Sequence, residues 1–210
     1  MPLVSFPLPL RNALAEVVIA ALEDPVAAGA LAWLAHPDAP PAPAVAAHLA
    51  AVHLIDPGGH DLLAVHAPHA SAVAAHAGGG LRAAAAYQPP PCDAPIPRAL
   101  RQAAALWDAH LFFEVHEVLE AVWKTEGGAR RQALQGLIQL AVAFHHARHG
   151  NTRGARTLMT EGRARLASVP PDTLAPIDIP TLLERTSTWE AALQQPTPPP
   201  SEAPPSLPWA

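Results

Sequence analysis

From Phe112 to Leu166 apolar residues recur at helical spacing, and polar residues with chemical capability recur among them at the same spacing. That pattern constrains the fold more than any other stretch. It demands consecutive amphipathic helices, and it concentrates candidate chemistry on two of them. Phe112 to Thr125 reads as a helix ended by Gly127-Gly128, and Arg130 to His149 as a long helix stopped by Gly150. Asn151 is placed to cap a helix from Thr152 to Ser168, which Pro170-Pro171 closes. Pro97 to Asp108 precedes these helices, with His110-Leu111 as a tight turn, and Pro180 to Gln194 follows. Short connections make consecutive helices antiparallel neighbours, so residues 98–194 are expected to form an all-α antiparallel bundle of about five helices.

Alanine accounts for much of the apolar half of the chain and aromatics for 5%, which favours helix over sheet. Residues 1–87 read as a mostly helical domain: one broken or two separate helices over 9–35, a short helix Pro43 to Leu54, and a short alanine helix after Gly78-Gly79-Gly80. Ile55-Asp56-Pro57-Gly58-Gly59-His60 is turn chemistry, so Val52 to Ile55 and Asp61 to His66 could pair as a small β-hairpin. Residues 88–97 are a proline linker containing Cys92, the single cysteine, and 195–210 are a proline-rich tail expected to be disordered.

A helix followed by a hairpin weakly resembles the end of a winged-helix domain, but the charge opposes DNA binding. Residues 1–90 hold two arginines and no lysine against six acidic residues, and phosphate contacts dominate affinity for DNA. The whole chain carries a formal charge of −5. One cysteine excludes an internal disulfide framework and a cysteine-rich zinc module. The apolar runs fall short of the ~18 to 20 residues of a membrane span, and the first ten residues do not read as a signal peptide. The expectation is a cytoplasmic protein with no nucleic-acid or membrane partner, available for a protein partner or self-association. The histidines His36, His48, His53, His60, His66, His69 and His76 follow no ligand spacing and read as exposed or half-exposed.

On a wheel of about 100° per residue, Phe112, Val115, Leu119, Val122 and Trp123 share one arc of their helix. His116 and Glu120 sit together at its edge, Glu117 further round, and Glu114 on the opposite, solvated face. The long helix bears one polar stripe of Gln135, Gln139 and His146, with His145 to the side. If the two stripes meet, two readings stand. In one, a buried hydrogen-bond network fixes helix register. In the other, His116, Glu120 and His146 hold a divalent metal, with Glu117 as fourth ligand or catalytic acid/base of a hydrolase-like enzyme. His116-Glu117-Val118-Leu119-Glu120 resembles a zinc-protease box, but glutamate stands where that box has its second histidine. No Gly-x-Ser-x-Gly elbow or phosphate loop is present.

The blocks Phe113-Glu114-Val115-His116-Glu117-Val118-Leu119-Glu120-Ala121-Val122-Trp123, Leu134-Gln135-Gly136-Leu137-Ile138-Gln139-Leu140, His145-His146 and Gly150-Asn151 together resemble a bacterial and archaeal helical family, the domain of unknown function numbered 309. Ile177-Asp178-Ile179 also resembles it. The resemblance covers residues 99–193. It implies a helical fold and no particular function. The positions it picks out are Glu114, His116, Glu117, Glu120, Trp123, Gln135, Gly136, Gln139, Gly150 and one of His145 or His146. The inclusion of Glu114 conflicts with its solvated place on the wheel.

Overall fold

The computed structural model describes residues 5–91, 94–195 and 203–209. Cys92 and part of the expected tail therefore lie outside the described residues. The fold is all-α, and the chain divides between Gln88 and Pro89 into two compact units.

In the N-terminal unit, α1 (Leu8–Ala20), α2 (Pro25–Ala35), α3 (Pro43–Ala51) and α4 (Ala70–Ala86) enclose a small core. The break between α1 and α2 follows from Asp24-Pro25. The Asp24 carboxylate accepts from the Val26 amide at 2.8 Å, and Pro25 takes the first helical turn, where no amide partner is needed. Leu10, Leu14, Leu31, Leu49 and Val73 are fully buried. The glycine triplet does not break a helix. It lies inside α4, because a Cβ at Gly80 would sit 2.7 Å from Leu31 Cδ1 and 3.0 Å from Val18 Cγ2, so α4 can press against its neighbours only without one. The expected hairpin reduces to one antiparallel bridge between Ile55 and Leu62, and no strand forms among the described residues. His66, expected to be exposed or half-exposed, is buried, with Nε2 3.2 Å from the His53 carbonyl oxygen.

The C-terminal unit holds α5 (Pro95–Asp108), α6 (Phe112–Trp123), α7 (Gly128–Arg148), α8 (Thr152–Ala167) and α9 (Ile179–Leu193), with each helix packed on the next. α5 begins inside the segment read as a linker. Each reversal has a local cause. His110 takes φ 61° between α5 and α6, Gly128 φ 57° at the first residue of α7, and Gly150 φ 78° before α8. The Asn151 side chain accepts from the Gly154 amide, and the Asp178 carboxylate accepts from the Thr181 amide and hydroxyl. Those two bonds hold the Asp178 carboxyl below the usual aspartate range.

The core of this unit is an aromatic cluster. Trp107, Phe112 and Phe144 lie with ring centroids 5.4 Å apart in each pairing, and Trp189 stands edge-on to Phe144 at 5.1 Å. Trp107 and Phe144 are fully buried. α8 and α9 are fastened by Arg163, which donates to Glu190 at 2.6 Å and also to the Leu183 carbonyl and Thr186 hydroxyl. α7 and α8 approach most closely at paired glycines. A Cβ on Gly136 would meet the Gly162 carbonyl oxygen at 2.9 Å, and one on Gly162 would meet the Gly136 carbonyl oxygen at 2.8 Å.

Residues 203–209, placed by sequence in a disordered tail, are ordered against this unit: the Trp107 indole donates to the Pro205 carbonyl and Asp108 accepts from the Leu207 amide. Proline preorganises an extended strand, and a fully buried indole donor needs a partner, which Pro205 supplies.

Candidate functional site

α6 is amphipathic in a particular way. Its apolar side faces the aromatic core, while His116, Glu117 and Glu120 gather along one edge within a single turn. His116 Nδ1 donates to Glu117 Oε1 at 3.1 Å, and His116 Nε2 lies 3.8 Å from Glu120 Oε2, an ion-pair distance and not a hydrogen bond. The other oxygen of Glu120 lies 3.4 Å from Lys124 Nζ, one turn further on. One ligating atom from each of His116, Glu117 and Glu120 falls within 4.8 Å of the others. The set is not buried: the side chains are 27%, 40% and 33% exposed. The wheel's edge position is half-exposed, so the expected buried network does not form here.

The stripe on α7 faces elsewhere. Gln139 donates to Glu161 of α8 at 2.8 Å, and Arg165 of α8 donates to Gln132 one turn before Gly136. Gln135 is half-buried beside Gly136. The glycine contact explains the orientation of Gln139, because it brings the Gly136 and Gln139 side of α7 against Gly162 of α8. His146 follows the same face. Its ring lies over Gly154, where a Cβ would come within 2.8 Å of His146 Cδ2, and the Asn151 amide reaches its Nδ1 at 3.4 Å. The two stripes therefore do not meet, and His146 does not join His116 and Glu120.

His145 lies nearer the α6 edge. Its ring centroid is 6.1 Å from that of Phe113, which in turn lies 6.0 Å from His116. Two contributors were not singled out from the sequence. The His149 ring lies tilted against that of His145 with centroids 4.2 Å apart, and its Nδ1 donates to the His145 carbonyl at 2.8 Å. Lys124 pairs with Glu120. Both are four residues from their partners, and that spacing was the available signal. Trp123 belongs to the α6–α7 turn and not to a network. Arg131 lies 3.9 Å over its ring and donates to the Trp123 and Glu126 carbonyls.

Glu114 is 1% exposed, against the solvated position the wheel gives it. The wheel allows one covered face, whereas α6 lies between α5 and α7 and is covered on two. A buried carboxylate is tolerated only when bonded or neutral, so Glu114 is a fixture of the bundle interior.

Burial, and then the neighbouring His149, holds the His146 imidazole below its ordinary value. The folded state therefore binds this proton less readily than the unfolded chain. The associated stability is complete above about pH 6.5, the unfolded value, and is lost as pH falls from there through the folded value. His146→Gln is expected to flatten the fall in urea midpoint between pH 7.5 and pH 5. An unchanged slope would remove His146 from the acid response.

Fold and site together define an all-α helical domain with a His-Glu-Glu edge on its second helix. Residues 100–158 match the model of the family described as "Domain of unknown function (DUF309)". The resemblance read from the α6 and α7 motifs thus holds over 100–158, and Ile177-Asp178-Ile179 lies beyond the matched stretch. Over 49 residues the chain is 49% identical to the "Uncharacterized protein YpuF" of Bacillus subtilis (strain 168). That stretch is 23% of this chain and 28% of the relative, so the chain spans little more than a quarter of the relative's length. No solved structure matches. No helix among the described residues is long and apolar enough to cross a membrane.

Proposed function

We propose that the C-terminal unit is a helical binding domain and that the α6 edge of His116, Glu117 and Glu120 is what it offers a protein partner. One observation carries this reading. Among the described residues, the polar contacts of these three side chains are made to one another and to Lys124, the residue that follows α6. Arg163, Arg156, Arg148 and Gln139, by contrast, each bond across elements and tie the bundle together. Half-exposed pairs within one helix contribute about 0.3–0.5 kcal/mol each, so the fold does not require this set. Two carboxylates beside an imidazole suit a cationic group on the partner. Glu117→Gln/Glu120→Gln is expected to lose proteins that copurify with the wild type while melting at the same temperature. An unchanged set of copurifying proteins overturns the reading.

A second reading rests on the mutual distance of 4.8 Å or less: the same residues hold a divalent cation, and Glu117 serves as acid/base in a hydrolase-like reaction. One nitrogen and two oxygens are a suitable donor set for zinc, and three protein ligands leave a position open, as catalytic sites do. Bonds of about 2.0–2.1 Å place tetrahedral ligands about 3.4 Å apart, so the side chains would have to close by a rotamer adjustment. Titration with Zn²⁺ separates the readings. A bound ion at a hundredfold excess over Kd raises stability by about 2.7 kcal/mol, and the double variant should lose that gain. No rise in melting temperature on adding Zn²⁺ removes the cation and leaves the partner reading standing.

A further inference from the structure

The segment Ala203-Pro204-Pro205-Ser206-Leu207-Pro208-Trp209 runs extended over a groove of the C-terminal unit that owes nothing to the α6 edge. Four consecutive residues have their main chain read by groups of the bundle. Trp107 Nε1 donates to the Pro205 carbonyl at 2.8 Å, Arg185 Nη1 to the Ser206 carbonyl at 3.3 Å, and the Asp178 amide to the Pro208 carbonyl at 3.2 Å. In the other direction, Asp108 Oδ1 accepts from the Leu207 amide at 3.3 Å. Trp209 bridges Ile177 in antiparallel fashion, with the Arg101 guanidinium 5.4 Å from its ring. Leu207 is 5% exposed.

Among the described residues, two of the carbonyls that bundle donors meet, those of Pro205 and Pro208, belong to prolines, which carry no amide of their own. A surface that meets these carbonyls with an indole N–H and a backbone N–H asks for no amide at those two positions, which suits a proline-rich strand. An indole donating to a proline carbonyl is a common way for proline-rich strands to be read, since their preset backbone costs little entropy to dock. The Trp107 ring stays fixed in the aromatic core while its N–H points at the strand.

We propose that this groove is a binding site for proline-rich extended segments of partner proteins, and that residues 203–209 occupy it as an intramolecular ligand the partner segment must displace. A ligand segment within the same chain, separated from Gln195 by seven residues, meets its site at an effective concentration of roughly millimolar order. Against a peptide whose own Kd is on the order of 0.1 mM, that weakens apparent affinity about tenfold.

The test uses the full chain and a labelled synthetic peptide of the sequence Ala-Pro-Pro-Ser-Leu-Pro-Trp. Leu207→Asp puts a carboxylate at a buried position and releases the segment. Pro208→Asp releases the same segment independently, should the first variant lose helical signal. By fluorescence anisotropy the released variant is expected to bind the peptide about tenfold more tightly than the wild type, with a shift of the Trp107 indole N–H resonance. Adding Asp108→Ala to Leu207→Asp should weaken that binding severalfold. Equal, weak binding by wild type and both released variants, with the Trp107 resonance unmoved, overturns the proposal. A wild-type dimer that Leu207→Asp converts to a monomer in light scattering also overturns it, by assigning the groove to the segment of a second copy.

Discussion

Gly162→Val is expected to destabilise the C-terminal unit by about 3 kcal/mol or more, at the upper end of overpacking costs. The reason is that nothing at the contact can yield. A Cβ on Gly162 would stand 2.8 Å from the Gly136 carbonyl oxygen and 3.1 Å from the Leu140 amide nitrogen, and both are backbone atoms of α7. A flexible side chain could rotate away from such an intrusion, but a helix backbone moves only as a unit, so α7 and α8 must separate. They form the most extensive helix pair of the molecule, and separation exposes Leu140, Met159 and Leu166, all fully buried. Urea denaturation followed by far-ultraviolet circular dichroism measures the loss. Gly127→Ala is the control, because a Cβ there meets nothing within 4 Å. Gly127 is the N-cap of α7, so the change should cost at most about 1 kcal/mol, the scale of losing a glycine cap to alanine. Equal midpoints for the two variants would show that α7 and α8 do not approach as described.

Phe144→Ala is expected to cost about 4 kcal/mol, within the range for emptying a large aromatic site in a packed core. Phe144 touches Trp107, Phe112 and Trp189 at ring distances of 5.1–5.4 Å, and these rings come from α5, α6, α7 and α9. Its removal therefore loosens four helices together. The Trp107 and Trp189 emission should shift to the red as water enters, and the near-ultraviolet signal should fall. Phe144→Leu keeps most of the volume and should recover more than half of the loss. A loss below about 1.5 kcal/mol for the alanine variant would mean that the cluster collapses freely and is not the organising core.

How far the sequence discloses this molecule depends on whether the deciding contact is local. Helix ends are legible because Asp24-Pro25, Gly150-Asn151 and Asp178 act on their own neighbours. The turn at His110-Leu111 is legible for the same reason. The meaning of Gly78-Gly79-Gly80 is not, since glycine ends a helix or admits a close neighbour, and only Leu31 and Val18 decide between the two. Glu114 is hidden from a wheel because burial on a second side depends on α5. The α7 stripe shows the same limit more sharply. Gln135, Gln139 and His146 share a face in any helix, but which partner that face meets is decided by Gly136 against Gly162. The contact of Gly136 with Gly162 is a tertiary fact, and without it the stripe appears equally suited to α6. His116, Glu117 and Glu120 were legible together because their grouping needs nothing beyond one helical turn. Residues 203–209 illustrate the converse. Their composition favours extension, and whether an extended strand is free or docked depends on Trp107 and Asp108, about a hundred positions away.

Under the proposed function, the α6 edge serves binding and not the fold. The most direct measurement is the unfolding free energy of His116→Ala/Glu117→Gln/Glu120→Gln against wild type, by urea denaturation at pH 7.5. The expected result is a difference within about 1 kcal/mol with an unchanged denaturant slope, as for a few half-exposed pairs within one helix. A loss of about 3 kcal/mol or more, the scale of a broken buried network, would show that these three residues hold the bundle together and would contradict the account.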